Sequence, residues 1–152
     1  MNRIVSKQQF SENVFKFEVE APLIAKSRRA GHFVIIRIGE KGERIPLTIA
    51  DSDVKRGTIT LVVQRIGLST NRLCKLEAGD MITDVVGPLG QATHIEKFGT
   101  VLCAGGGVGT APMPSGDLYF TGKRTVVGIG QPPCFVQCQT SCRHRGLPQL
   151  RQ

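Results

Sequence analysis

The sequence predicts a mainly β protein: an antiparallel six-stranded barrel with one short helix, followed by an incomplete Rossmann-like α/β segment. Three observations predict this class. Short β-branched stretches separated by glycine-containing turns fill the first hundred residues, a strand runs into a glycine-rich turn near residue 105, and the composition changes in the last quarter. With 152 residues, 40% of them apolar and 21% charged, the chain can bury a core, which excludes a wholly disordered or collagen-like protein.

The barrel strands are predicted from alternation and from β-branched content. Phe15, Phe17 and Val19 alternate with charged residues, which is the period-two pattern of a half-buried strand. Pro22 favours a short turn of helix directly after that strand. The predicted strands are 13–20, 31–38, 45–51, 57–66 and 81–86, and the predicted helical turn is 22–25.

A short helix is predicted between the last two of these strands. Ser69 is a candidate N-cap, Leu68 and Leu73 have the spacing of a hydrophobic staple, and Gly79 is a candidate helix stop. The Gly-Pro-Leu-Gly sequence at 87–90 predicts a rigid turn after the last strand. A single helix inserted among short strands favours a closed antiparallel barrel over a parallel sheet.

The glycine-rich turn at 105–112 follows a strand predicted at 100–104. This order begins the first unit of a nucleotide-binding α/β domain, because glycines let backbone amides approach phosphate oxygens. By itself the run fits a plain flexible turn as well. Pro114 and Gly116 cost about 3 and 1 kcal/mol inside a helix, so we expect the helix of such a unit to fail. A second parallel strand is predicted at 125–129.

The charge divides the chain into two unequal parts. Residues 1–117 hold 15 Lys and Arg and all 12 Asp and Glu, a net +3, whereas residues 118–152 hold the other five basic residues and no acid, a net +5. The charge thus marks the C-terminal part as different in composition. From the predicted elements together with this difference, we expect a barrel domain at 1–98, an incomplete nucleotide-binding segment at 99–130 and an unstructured or aberrant tail at 131–152. A frameshift after about Pro112, or a truncated gene, would explain such a tail.

The tail contains three cysteines and a histidine that invite a metal-site hypothesis. Cys134, Cys138 and Cys142 recur every four residues, with His144 nearby. This spacing is not that of an iron-sulfur ligand set, and a fourth cysteine is missing. We expect neither an iron-sulfur cluster nor a zinc site in this chain.

Three motifs in this order resemble those of the ferredoxin reductase-like FAD- and NAD(P)-binding flavoproteins. They are Arg44-Ile-Pro46-Leu47-Thr48, Val63-Gln64-Arg65-Ile-Gly67-Leu-Ser69-Thr70 and the run that contains Gly105, Gly106, Gly107, Gly109 and Thr110. Within this family they are most like those of dihydroorotate dehydrogenase electron-transfer subunits and of the small subunits of NADH-dependent ferredoxin:NADP reductase, also called sulfide dehydrogenase. The resemblance covers about residues 1–112.

The resemblance implies a role for each residue of the first motif. Arg44 would pair with the FAD pyrophosphate, since a guanidinium offers two parallel donors to phosphate oxygens. Thr48 would place its hydroxyl near the flavin N5 edge, and Pro46 and Leu47 would shape the wall beside the ring system. The alternative for Arg44 is a solvated turn residue.

The other two motifs imply the remaining contacts of the two cofactors. Val63, Gln64 and Arg65 would contact the flavin and its ribityl chain, and Gly67, Ser69 and Thr70 would face the pyrophosphate. Ser69 stands where the family more often has glycine, and helix capping by Ser69 or Thr70 is the alternative. Gly105, Gly106, Gly107, Gly109 and Thr110 would form the nicotinamide dinucleotide turn.

These roles imply an FAD-binding electron-transfer subunit that passes electrons between NAD(P)H and a larger iron-sulfur or flavin oxidoreductase partner. Such chemistry needs no general acid, base or nucleophile from the protein. The alternatives are a flavin-binding remnant without activity and a basic barrel that binds single-stranded nucleic acid. The last needs stacking aromatics, and a chain with no Trp and one Tyr disfavours it. Without an apolar run of spanning length or a targeting signal, we expect a cytoplasmic protein that contacts no membrane.

Overall fold

The fold was analysed in a computed structural model, which describes residues 1–94, 101–111 and 124–129. The strands of the first part are β1 (Asn2–Ser11), β2 (Val14–Glu20), β3 (Phe33–Arg37), β4 (Arg44–Asp53), β5 (Thr58–Gln64), β6 (Met81–Ile82) and β7 (Asp84–Leu89). Two helices accompany them, α1 (Pro22–Ser27) and α2 (Leu68–Cys74).

These strands form one seven-stranded antiparallel sheet in the order β6-β1-β2-β5-β4-β3-β7. The two outermost strands, β6 and β7, are separated in sequence by Thr83 alone, so the sheet must curl until its edges meet. Alternate side chains fill the interior. The largest fully buried ones are Phe17, Ile4, Ile36, Ile49, Ile59, Leu61, Leu73 and Ile82.

The predicted barrel class is confirmed, with seven strands in the sheet instead of six. β1 was not among the five predicted strand ranges, because Ile4 is its one fully buried residue and its sequence lacks apolar alternation. The segment predicted as one strand at 81–86 is divided into β6 and β7, which pair with different partners. The turn predicted at 87–90 is wrong for residues 87–89, since β7 continues to Leu89 opposite Phe33.

Three features of the helix predicted after β5 are corrected. The N-cap of α2 is Gly67 and not Ser69, and Leu68 is 69% exposed, so the predicted staple with Leu73 is absent. The helix ends at Cys74, and Gly79 adopts a φ of +101° in the turn that follows. The predicted helical turn after Pro22 is confirmed as α1.

The second part of the chain contains β8 (Val101–Gly106), the 3₁₀ turn η1 (Gly107–Thr110) and β9 (Arg124–Ile129). β8 and β9 pair in parallel, which confirms the second parallel strand predicted at 125–129. The glycine turn begins at Gly107, because Gly105 and Gly106 belong to β8. The predicted helix failure after Pro112 and the predicted tail at 131–152 lie outside the described residues. Among the described residues, no helix is long and apolar enough to cross a membrane.

Candidate functional site

The candidate site lies where β4 and β5 separate. From Asp53↔Thr58 to Ile49↔Leu61 the two strands pair with each other. Beyond Ile49, β4 pairs with β3 only, and beyond Leu61, β5 pairs with β2 only, within the described residues. We call 49–53 with 58–61 the paired end, and 44–48 with 62–64 the open end. At the open end, backbone N–H and C=O groups of both strands face a gap and are available to a polar ligand.

The first motif lies on β4 at the open end. Arg44, Pro46 and Thr48 are exposed and alternate with partly buried Ile45 and Leu47, so the first three share the outer face of the barrel. The structure therefore brings three of the predicted residues together. Leu47 packs against the core instead and supports the wall from inside.

β3 extends this outer face with residues that were not predicted as part of the site. Phe33 is opposite Thr48, and Ile35 is opposite Pro46, in the antiparallel register. Directly opposite residues of an antiparallel pair point to the same side of the sheet. The sequence signal that could have found them is the alternation of Phe33 and Ile35 with buried Val34 and Ile36.

The start of the second motif lies at the end of β5. Gln64 is exposed on the outer face, whereas Val63 is 1% exposed and belongs to the core, so only the backbone of Val63 can contact a ligand. The backbone N–H of Arg65 donates to the Asn13 carbonyl (2.7 Å), and its guanidinium donates to Asn13 Oδ1 (3.3 Å) and lies 5.9 Å from the centre of the Phe15 ring. These contacts anchor Arg65 beside β2.

Thr70 and Ser69 make different contacts at the start of α2. Thr70 Oγ1 accepts hydrogen bonds from the backbone N–H groups of Ile66 (3.1 Å) and Gly67 (2.9 Å), which confirms helix capping for Thr70. Ser69 Oγ donates to the Glu43 carboxylate and so connects α2 with the residue before β4. The sequence did not predict this role of Glu43.

Arg44 lies beside this connection and is the strongest candidate anion ligand. It begins a strand instead of lying in a turn, and its side chain is exposed. Glu43 is bonded to Ser69, and among the described residues no carboxylate forms an ion pair with Arg44. The opposite residue on β3, Arg37, pairs with Asp84. The charge of Arg44 is therefore available to a ligand.

The third motif lies near β5, because η1 contacts this strand. Gly107 has a φ of +54°, and both Gly107 and Gly109 are exposed, with open space where a Cβ would stand. Gly105 and Gly106 are paired with Gly128 and Ile129 across the parallel strands. Thr110 ends η1.

Cys74 and the metal-binding potential complete the description of the region. Burial raises the pKa of the Cys74 thiol, and the positive charges of Lys7 and Arg65 lower it by less. The thiol is free and buried. No group of His, Cys, Asp and Glu that could hold a metal ion occurs within 1–94, 101–111 and 124–129.

The donor set at the open end fits FAD. An unpaired guanidinium suits a pyrophosphate, and an exposed hydroxyl with unpaired backbone groups suits the polar edge of an isoalloxazine ring. The apolar side chains of Pro46 and Ile35 offer a surface for the flat ring system. A Cβ on Gly67 would meet no atom within 4 Å, which leaves space beside the start of α2.

Comparison with protein families agrees with this fit. The model of the oxidoreductase FAD-binding domain matches residues 2–94, and the chain belongs to this family of flavin-dependent oxidoreductases. The family resemblance is thereby confirmed over the residues that contain the first two motifs, and the third motif lies outside the matched range.

Individual proteins of known name are similar to this chain over most of its length. The chain is 48% identical over 113 residues to a dihydroorotate dehydrogenase B (NAD(+)) electron transfer subunit homolog of Thermotoga maritima, covering 74% of this chain and 40% of that protein. It is 32% identical over 129 residues to the dihydroorotate dehydrogenase B (NAD(+)) electron transfer subunit of Shouchella clausii, covering 81% and 48%. A solved NADH-dependent reduced ferredoxin-NADP oxidoreductase aligns with a TM-score of 0.82 and 41% identity, covering 86% of this chain and 49% of its own. The chain thus spans less than two thirds of these relatives.

Proposed function

We propose that this chain is the FAD-binding part of an electron-transfer subunit that passes electrons between NAD(P)H and an iron-sulfur or flavin oxidoreductase partner. The observation that carries the proposal is the exposed row of Arg44, Pro46 and Thr48 beside the gap between β4 and β5. Bound FAD supplies the chemistry: it accepts a hydride from a nicotinamide and gives up single electrons.

The residues of the open end bind and orient the cofactor in this proposal. Arg44 neutralises the pyrophosphate, Thr48 directs its hydroxyl at the N5 edge, and the backbone of 62–64 holds the polar edge of the ring. Pro46 covers one side of the ring and excludes water there. Gln64, Arg65, Gly67, Ser69 and Thr70 contact the ribityl and pyrophosphate portions, with Leu47 and Val63 as supports.

The nicotinamide and the partner are proposed from other support. The glycines Gly105, Gly106, Gly107 and Gly109, with Thr110, form the nicotinamide dinucleotide turn within a segment at 99–130, and η1 lies next to β5. The names of the relatives mention NAD(+), NADH and NADP, and two of these names describe electron transfer subunits. The barrel domain at 1–98 and a cytoplasmic location are parts of the same proposal.

Purification of the full chain tests the proposal. We expect a yellow protein with a flavin absorption spectrum, or a colourless one that binds one FAD on titration. Because the sequence has Pro114 and Gly116 where the helix of a complete phosphate site is expected, addition of NADH or NADPH should reduce the flavin slowly or not at all.

Each outcome has a separate meaning. Rapid bleaching by a nicotinamide would contradict the expected defect in its site and leave the flavin proposal intact. The proposal would be overturned if the protein bound no FAD even at FAD concentrations far above the dissociation constants typical of flavoproteins. Binding of single-stranded oligonucleotides by such a protein would favour the nucleic-acid alternative.

A further inference from the structure

One buried charged side chain lies directly behind the candidate site. Arg28 follows α1, and its side chain is 3% exposed. A buried guanidinium is costly unless protein groups replace the water that it loses. Its contacts therefore indicate what it stabilises.

Arg28 contacts the irregular part of β4. Its Nη2 atom donates to the carbonyl oxygens of Ala50 (3.3 Å) and Ile49 (3.5 Å), and its Nη1 atom donates to Ser52 Oγ (3.5 Å). The Asp51 carboxylate is 3.9 Å from Nη1. Because the Asp51 side chain is 61% exposed, this ion pair is weaker than the bonds to the backbone.

The two carbonyls belong to a β-bulge. The register between β4 and β5 shifts between Ile49 and Asp51, so Ala50 is the extra residue. A bulge bends its strand and interrupts the ladder. Beyond it, β4 leaves β5 and the open end begins.

Residues just after Arg28 also bind the backbone N–H of Ile49. The Ile49 N–H donates to the His32 carbonyl (3.2 Å), and His32 Nδ1 accepts from the Arg29 N–H (3.1 Å). Residues 28–32 therefore fix both backbone polar groups of Ile49. The next residue toward the open end is Thr48.

We propose that Arg28 is a positioning residue for FAD: it holds the bulge at which β4 turns away from β5, and so sets the direction of 44–48 and the place of the Thr48 hydroxyl. Arg28 does not touch the cofactor in this proposal. The inference rests on the proposed function, since it concerns the geometry of the same site.

The chemistry of the side chain explains why an arginine is needed. A planar guanidinium with several fixed donors can bond two neighbouring carbonyls and a hydroxyl at once, whereas a lysine ammonium is a point charge on a flexible stem. Arg28→Lys keeps the positive charge but loses the planar set of fixed donors. Arg28→Met keeps much of the side-chain volume but loses both the charge and the donors.

The test compares FAD binding by the full-length chain and by the variants Arg28→Lys and Arg28→Met. Ile4→Val is the matched control, because Ile4 is fully buried on β1, separated from β4 in the sheet by β2 and β5. The readouts are FAD affinity by titration, the visible circular dichroism of bound flavin and its reduction potential. Folding is checked by far-UV circular dichroism and thermal unfolding.

We expect Arg28→Met to weaken FAD binding by about tenfold or more and to alter the dichroism of any flavin that binds, because charge-assisted bonds hold the wall of the site. Arg28→Lys should be intermediate. Ile4→Val should lower the unfolding temperature and leave affinity, dichroism and potential unchanged.

The failures are distinguishable. If the unaltered chain binds no FAD, the proposed function fails and the positioning role fails with it. If it binds FAD and the folded Arg28 variants bind equally well with the same spectrum and potential, only the positioning role is overturned. If neither variant folds, Arg28 serves the barrel and not the cofactor site, which also overturns the inference.

Discussion

The two ends of the β4–β5 pair differ in what their residues contribute. At the paired end, the exposed fractions of Ile49, Ile59 and Leu61 are 1% or less, and the two strands are hydrogen-bonded to each other. At the open end, Arg44, Thr48 and Gln64 are exposed and the strands bond to other neighbours. The paired end contributes buried side chains to the core, and the open end has exposed side chains that we propose bind FAD. Because these contributions lie on the same two strands, single substitutions can separate them.

The largest expected effect is on stability at the paired end. Leu61→Ala removes a fully buried side chain and should lower the free energy of unfolding by about 2–5 kcal/mol, from lost burial and the remaining cavity. Denaturant unfolding of the apoprotein measures it. Gln64→Ala, three residues along the same strand, is the control and should change stability by less than about 0.5 kcal/mol. Equal losses would break the distinction between the two ends.

The next largest effect is on binding at the open end. Arg44→Ala should weaken FAD binding by about 10- to 100-fold, since a charge-assisted hydrogen-bonding group is worth about 1.5–3 kcal/mol. Arg56→Ala is the control, because Arg56 lies in the connection between β4 and β5, at the paired end, and forms an ion pair with Glu18 (3.1 Å). Isothermal titration with FAD should show nearly unchanged affinity for Arg56→Ala. A loss of the same size in both variants would indicate general electrostatic attraction instead of a site.

A smaller effect is expected at Thr48. Thr48→Val keeps the shape of the side chain and removes the hydroxyl, at an exposed position where it should leave the unfolding temperature nearly unchanged. FAD binding should weaken by about two- to tenfold, the value of one neutral hydrogen bond. The flavin absorption maximum should shift as well. Unchanged affinity and spectrum would place the N5 edge away from this hydroxyl.

The smallest effect concerns Glu18, which is near the paired end. Burial raises the pKa of this carboxyl, but hydrogen bonds from Lys16 and Ser6 and the charges of Lys16 and Arg56 lower it further, so its pKa is below the ordinary value. The stability it contributes is therefore present above its unfolded pKa and is lost as the pH falls through the folded pKa.

Acid unfolding of Glu18→Gln tests this assignment. The variant should be less stable than the parent near neutral pH, and the difference should shrink as the pH falls below about 4, where the carboxyl is protonated in the parent's unfolded state. A difference that stays constant with pH would mean that packing, and not charge, is what the substitution removes.

A strand could be predicted from the sequence where its apolar and polar residues alternate. β2 was predicted because Phe15, Phe17 and Val19 face one side and charged residues the other, and that face packs in the core. β1 was missed because its side chains are mostly half-exposed on both faces. Its place is decided by pairing with β2 and β6, which local sequence does not report.

Among the site residues, the motif resemblance identified the exposed row on β4 but not its surroundings. Arg44, Pro46 and Thr48 share a face because alternate strand residues must. Arg28 and Glu43 lie outside the motifs, and their importance depends on contacts with Ala50 and Ser69 across the fold. No spacing rule relates residues that come together only when the sheet curls.

The sequence by itself determined the class of this protein, a β-barrel of the FAD-binding oxidoreductase family with a glycine-rich turn after it, because alternation and motifs are read directly along the chain. Only the tertiary structure decided where β4 parts from β5 and which side chains face the gap. The physical reason is that the β4–β5 ladder ends at the bulge around Ala50, while β4 stays paired with β3 and β5 stays paired with β2 on their other edges. Such long-range pairing is not encoded in the local sequence pattern.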